Sequence, residues 1–350
     1  MRKKFFNVKR IAVIALVTAF VLVTLWLLQC LVVPKYVSQV VEGNLIAEYY
    51  KEEKDHDVLF IGDCEVYENF VPAALWEDYG INSYIRGSAQ QLIWQSYDLL
   101  EDSLRYEKSD VVVFNVLAMQ YNKPQREEYN RMSIEGMKWS SSKVGAILSS
   151  MTEEERFLDY VFPILRYHSR ITELTWEDVQ YMFSRPQVSY NGYYMRVDTK
   201  PAENVPDGKK LGNYRFGDNA YKYLDKITQL CKENDIELIL VKAPSLYPYW
   251  YDEWEVQMEE YAAEHDLMYI NFLELQEECG LDFSTDTYDA GLHLNLWGAL
   301  KITDYLGKVL QEECGLADRR GEEHLSEVWK EKLKDYYAEI ERQKAFYGVE

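Results

Sequence analysis

The sequence lacks the patterns that would mark a disulfide-stapled or metal-built domain. Its five cysteines, Cys30, Cys64, Cys231, Cys279 and Cys314, form no CxxC pair and no zinc-ligand spacing, which excludes both a disulfide framework and a zinc site as the basis of the fold. Scattered in this way they are expected to be mostly free thiols, with pairing among Cys231, Cys279 and Cys314 left open. Basic residues are scarce as well: 38 Lys and Arg face 59 Asp and Glu, a formal net charge of -21. Nucleic-acid binding needs clustered cations to neutralise phosphates, so no nucleic-acid partner is expected. There is no phosphate loop, no metal motif and no cofactor fingerprint, so neither a metal nor a cofactor is expected.

What is present is a globular composition, 47% hydrophobic and 28% charged, in a chain of 350 residues. One apolar run stands out. Ile11 to Val33, about 23 residues, is interrupted only by Thr18, Thr24 and Gln29 and is long enough for a hydrocarbon core of about 30 Å. Residues 1–10 carry Arg2, Lys3, Lys4, Lys9 and Arg10. The positive-inside rule therefore predicts a single-pass membrane anchor over 11–33, with a cytoplasmic N-terminus and the main domain extracytoplasmic. A cleaved signal peptide would have an apolar region of about 7–15 residues and a small-residue cleavage site. This run is longer, and Leu27-Leu28-Gln29-Cys30 offers no small residue before the cysteine.

Beyond a mixed, amphipathic linker at 34–56, expected to hold a short helix, strands and helices alternate. Short apolar runs predict strands at Val58–Ile61, Ser83–Ile85, Asp110–Asn115, Ile236–Val241 and Leu267–Asn271. Helical spacing predicts helices at Pro72–Tyr79, Gln90–Tyr106, Ala220–Glu233, Glu253–His265 and Leu296–Gln311. The expected fold class is α/β, a parallel five-stranded flavodoxin-like sheet flanked by helices, with its core in 57–119 and 217–315. Residues 120–216 break the alternation and read as a helical insertion, with helices around Ser142–Leu148, Glu153–Tyr167 and Trp176–Phe183. It either shapes a pocket or decorates the domain. Residues 316–350 read as a charged helical tail packing on the domain or a neighbour. The aromatic cluster Tyr247, Tyr249, Trp250, Tyr251 and Trp254 is either loop and core packing or a sugar-stacking platform.

Three short motifs carry chemistry. Ile61-Gly62-Asp63-Cys64 sits where the first strand ends, the position at which an α/β sheet displays reactive side chains. Gly87 closes the second strand. Asp289-Ala-Gly-Leu-His293 offers a carboxylate and an imidazole, followed by Asn295 and Gly298. Nucleophile, base and orienting acid are the parts of nucleophilic catalysis.

These blocks resemble those of SGNH/GDSL-type hydrolases, in which a Gly-Asp-Ser turn presents a serine nucleophile and a late Asp-x-x-His block supplies its partners. The resemblance covers roughly 57–310 and departs in three places. Cys64 replaces the serine, three residues separate Asp289 from His293, and Phe114-Asn115-Val116-Leu117 lacks the third block's Gly-x-Asn-Asp. It implies Cys64 as nucleophile and His293 as base. Either Asp286 or Asp289 would orient the imidazole, with Asp289 the named choice and Gly291 absorbing the extra residue. Gly87, Asn115 and Asp63 are the oxyanion or binding candidates. The implied activity is ester hydrolysis or O-acyl transfer on a cell-envelope glycan or related acyl ester, beside a multi-spanning acyltransferase partner. The alternative is a catalytically weak or inactive scaffold of envelope-polymer modification.

Overall fold

Five short runs rich in branched and aromatic residues form the sheet: Val58–Gly62 (β1), Ser83–Gly87 (β2), Val111–Asn115 (β3), Glu237–Lys242 (β4) and Met268–Asn271 (β5). They are seen in a computed structural model that describes residues 2–34 and 44–349, the side chains of residues 2–7 excepted. Every pair is parallel and the order is β2-β1-β3-β4-β5. This is the flavodoxin-like, doubly wound order, with its switch point between β1 and β3.

Successive strand side chains point to opposite faces, so β1 sends Val58 and Phe60 into one core and Leu59 and Ile61 into the other. The first face is covered by the helices Pro72–Tyr79, Leu296–Glu312 and Glu323–Tyr347, the second by Ile93–Ser103, Asp218–Glu233 and Asp252–His265. Local chemistry sets these boundaries. Pro72 opens its helix where a missing N–H costs nothing, and Gly80, at φ +69°, closes it by donating to the Leu75 and Trp76 carbonyls. The charged C-terminal tail is one long helix on the domain. Its Trp329 stacks on Trp76 at 5.5 Å between ring centroids and donates to Asn82 Oδ1 at 3.0 Å.

The stretch 120–183 holds the helices Glu127–Glu135, Ser141–Ser150, Phe157–Val161, Ile164–Tyr167 and Trp176–Phe183. The single helix expected over 153–167 is divided at Phe162-Pro163, because proline has no N–H to continue the ladder. Downstream, Tyr193, Met195 and Val197 enter the first core, so the end of the insertion is built into the domain. The linker expectation over 34–56 falls partly on 35–43, outside the described residues; within the described part, Leu45–Glu48 is helical and Tyr49–Lys51 forms a 3-10 turn.

The N-terminal helix runs Arg2–Val32. Its segment Val8–Val32 contains an 18-residue stretch with a mean hydropathy of 2.8 and is long and apolar enough to cross a membrane.

Candidate functional site

The site begins where β1 stops. Gly62 pairs with Gly87 of β2, and the chain then turns into the short helix Cys64–Tyr67. Asp63 caps that helix by accepting the Glu65 N–H at 3.2 Å. Gly87 sits in a close approach: a Cβ there would lie 3.1 Å from the Tyr67 ring and 3.2 Å from the Gly62 carbonyl oxygen, so a larger residue would need its neighbours to shift by a few tenths of an ångström. Cys64 is left half-buried at the start of the helix, beside the switch point.

Beneath Cys64 lies a buried polar network. Lys242, the last residue of β4, donates to both Glu65 carboxylate oxygens at 3.0 Å, and both side chains are 0% exposed. Lys242 also donates to Ser245 Oγ at 3.0 Å, and the Ser245 hydroxyl donates to Glu65. Asn115, ending β3, donates to Asp63 at 3.1 Å and to Glu65 at 3.0 Å and accepts the Ala243 N–H at 3.2 Å. The network ties the carboxyl ends of β1, β3 and β4 together under the turn.

The histidine loop is fixed as firmly. Asp289 accepts the His293 backbone N–H at 2.8 Å with one oxygen and bonds Nδ1 at 2.6 Å with the other. The extra residue between them is absorbed by two left-handed positions, Ala290 at φ +69° and Gly291 at φ +97°. Thr287 Oγ1 donates to the His293 carbonyl at 2.7 Å and accepts the Gly291 N–H at 2.8 Å. Leu294 N–H is held by Asn69, and Asn295 caps the following helix through the N–H groups of Trp297 and Gly298. Asp286 is elsewhere, paired with Lys301 at 2.6 Å. Of the two aspartates the sequence left open, Asp289 is the one on the imidazole.

A second carboxylate faces the same ring. Glu68 lies 3.6 Å from His293 Nδ1, one turn after Cys64, and accepts a hydrogen bond from the Tyr288 hydroxyl. The Arg196 guanidinium covers the Tyr288 ring at 4.2 Å. Arg196 belongs to an extended strap formed by the end of the insertion. Its bonds run from Tyr194 N–H to the Tyr67 carbonyl at 2.7 Å and from Leu296 N–H to the Arg196 carbonyl at 2.7 Å. Lys200 N–H bonds the Thr287 carbonyl at 2.9 Å, and Ala290 N–H bonds the Lys200 carbonyl at 3.1 Å. The end of the insertion therefore buttresses both loops of the site.

These contacts set the charges. Burial pushes the Cys64 thiol up to about 11, with Asp63 and Glu68 adding to the rise and His293 opposing it. Burial disfavours a charged imidazole, yet Glu68, Cys64 and Asp289 together hold His293 well above its usual range. Burial and the neighbouring Glu65 raise Asp63 to about 7. Cys64 and His293 interact closely enough to shift each other's ionisation, and among the described residues no group makes a well-formed hydrogen bond to the buried His293 Nε2. With Nδ1 on Asp289, Nε2 is the nitrogen free to exchange a proton.

Cys64, Asp63, Gly87, Asp289 and His293 thus converge on one sheet edge. Asn115 is also there, but its amide is committed to Asp63, Glu65 and Ala243. The sequence did not single out Glu65, Glu68, Lys242 or Tyr288. The +4 spacing of Glu68 from Cys64 on a helical turn was the available signal for one of them. The aromatic cluster packs: Trp250 and Trp254 are buried around Phe216, at 6.1 and 5.4 Å between centroids, while Tyr249 stays exposed. All five cysteines are free.

No protein-family model matches this chain, and no curated protein matches it. Solved structures similar to it include two GDSL-type proteins. One is a protein assigned to the G-D-S-L lipolytic family from Desulfitobacterium hafniense, at 14% identity and a TM-score of 0.36, covering 73% of this chain and 100% of that one. The other is a GDSL-like lipase from Bacteroides thetaiotaomicron, at 12% identity and a TM-score of 0.36, covering 77% and 99%. Neither likeness bears on the site, which rests on its own distances.

Breaking one partner of a buried ion pair leaves an uncompensated charge, so Lys242→Met is expected to cost roughly 3–5 kcal/mol of stability. The double variant Glu65→Leu/Lys242→Met is expected to lose less than the single one. Urea denaturation of the detergent-solubilised chain, followed by tryptophan fluorescence, reads both. A single-variant loss within about 0.5 kcal/mol, as for an ordinary surface change, contradicts a structural role for the pair.

Proposed function

We propose that this chain is a membrane-anchored enzyme of acyl-ester chemistry, a hydrolase or O-acyltransferase with Cys64 as nucleophile. The observation that carries the reading is the imidazole of His293, fixed at Nδ1 by Asp289, with a buried Nε2 that makes no well-formed hydrogen bond among the described residues and an ionisation shifted by Cys64. In this reading neutral His293 takes the Cys64 proton at Nε2, and Sγ attacks the acyl carbonyl. The Cys64 and Gly87 N–H groups stabilise the oxyanion. The imidazolium then protonates the departing alcohol, leaving a thioester on Cys64. Water or a sugar hydroxyl, deprotonated by His293, takes the acyl group and restores the thiol. The resemblance of the sequence blocks supports a cell-envelope glycan or related acyl ester as substrate, an extracytoplasmic domain and a multi-spanning acyltransferase partner.

A non-catalytic scaffold is the second reading. It is favoured by a thiol raised to about 11 in a site with three nearby carboxylates, and by Asn115 being occupied within the network. The two readings part on one assay: hydrolysis of short-chain aryl esters by the full chain, its Cys64→Ala, Cys64→Ser and His293→Ala variants. The enzyme reading expects turnover by the parent, loss in both alanine variants and a residue of activity with serine. Equal background rates in all four, with an acyl acceptor supplied, would favour the scaffold.

The carboxylates also set a pH dependence. Only the neutral imidazole can accept the thiol proton, and Glu68 helps to keep His293 charged. Activity is therefore expected to rise with pH as His293 loses its proton. Glu68→Gln removes a charge that favours imidazolium, lowers the pKa of His293, and is expected to move the acid limb of kcat/KM to lower pH. An unmoved or upward-moved limb contradicts this assignment.

A further inference from the structure

The helices of the insertion carry an apolar surface that the catalytic reading does not use. Leu158, Phe162, Leu165, Ile171, Trp176 and Phe183 are 47–81% exposed, and all lie on the short helices and turns between Phe157 and Phe183. This part of the insertion packs against the C-terminal end of the N-terminal helix. The helices Ile164–Tyr167 and Trp176–Phe183 and the turn His168–Thr172 all contact it. Arg170 clamps the junction, donating to the Val32 carbonyl at 2.6 Å and to Asp178 at 2.8 Å. An arginine on the last carbonyls of a helix is favoured by the helix dipole.

The level of this junction follows from the length of the helix. Val8–Leu27 is exposed all round, whereas Leu28–Leu31 is half-covered and Val32 is buried. The apolar run Ile11–Val33 measures about 34 Å at about 1.5 Å per residue, against a hydrocarbon core of about 30 Å. Its last turn therefore lies at the edge of the hydrocarbon, where aromatic side chains concentrate. Trp26, 61% exposed, is on the final turns of the same run. An apolar patch of this kind on a water-facing domain would be unusual, and its continuity with a membrane-crossing helix supplies its cover.

We propose that the segment 157–183 is seated in the bilayer leaflet from which the N-terminal helix emerges, with Trp176 and Phe183 immersed at the headgroup–acyl boundary. The domain would then be held against the membrane at two places rather than swinging from one helix, and the strap that buttresses His293 would descend from a membrane-seated element. This inference rests on the membrane-spanning reading of the helix and not on catalysis at Cys64.

The test uses the full chain in nanodiscs containing a lipid with a diazirine on its acyl chain, with photo-adducts mapped by peptide mass spectrometry. Adducts are expected on 8–32 and on 157–183, and not on the peptide carrying Phe346, which is 75% exposed on the C-terminal helix. In a Trp176→Asp/Phe183→Asp variant the adducts on 157–183 should fall several-fold while those on 8–32 are unchanged. Adducts on 8–32 alone overturn the proposal, leaving the patch to a protein partner. Equal labelling at Phe346, or undiminished labelling in the variant, overturns it as non-specific. No adducts on either segment overturn it together with the spanning reading.

Discussion

The carboxyl ends of β1, β3 and β4 are tied together by a single buried ion pair, Glu65 with Lys242, completed by Ser245 and Asn115. Removing two charges from water is costly, and a well-packed apolar pair would often be at least as stable. What the pair contributes is position. Glu65 is the residue after Cys64, so fixing its carboxylate fixes the turn that displays the thiol. Asn115 links the same carboxylate to Asp63, the cap of that turn. The network carries donors and acceptors from β3 and β4 and from the turns that follow β1 and β4, and each polar group answers another. The geometry around Cys64 is therefore set from below, by the sheet, and not by the thiol's own contacts.

The site above this network is unusual for a cysteine. Reactive thiols sit in electropositive surroundings that lower their pKa. Cys64 instead has Asp63 and Glu68 nearby, with His293 as the cation that opposes them. The directions at Cys64 and His293 favour a thiol over a thiolate and an imidazolium over a neutral imidazole. A nucleophile is then made only where the imidazole has first lost its proton, by transfer from the thiol to neutral His293, rather than stored as a thiolate. Glu68 holds the balance, because it is the carboxylate on His293 that Asp289 does not already account for.

Much of the fold was legible because strand and helix periods are local. All five strands fell within two residues of their sequence positions, the parallel order followed from their alternation with helices, and Pro72 and Gly80 marked their helix ends. The convergence of Cys64, Gly87 and Asp289-to-His293 was legible through short motifs that lie at strand ends. Other features depend on contacts between residues far apart in sequence. Nothing local says that Lys242 reaches Glu65 across 177 positions, or that Tyr288 meets Glu68 across 220. Nor could the stretch 188–202 announce that it would run as a strap beside the His293 loop, since those bonds are made by backbone groups common to every residue. The split at Pro163, by contrast, was in the sequence, and the apolar spacing on either side of it masked the break.

The central claim is that Sγ of Cys64 becomes covalently acylated with His293 as its base. The most direct test is to mix the full chain with an activated acetyl ester, quench in acid within seconds, and locate any added acetyl group by peptide mass spectrometry. The account predicts one acetyl on the peptide containing Cys64, removed by neutral hydroxylamine as a thioester should be, and absent when His293 is replaced by alanine. An unmodified Cys64 while ester is consumed, or equal acetylation without His293, would contradict it.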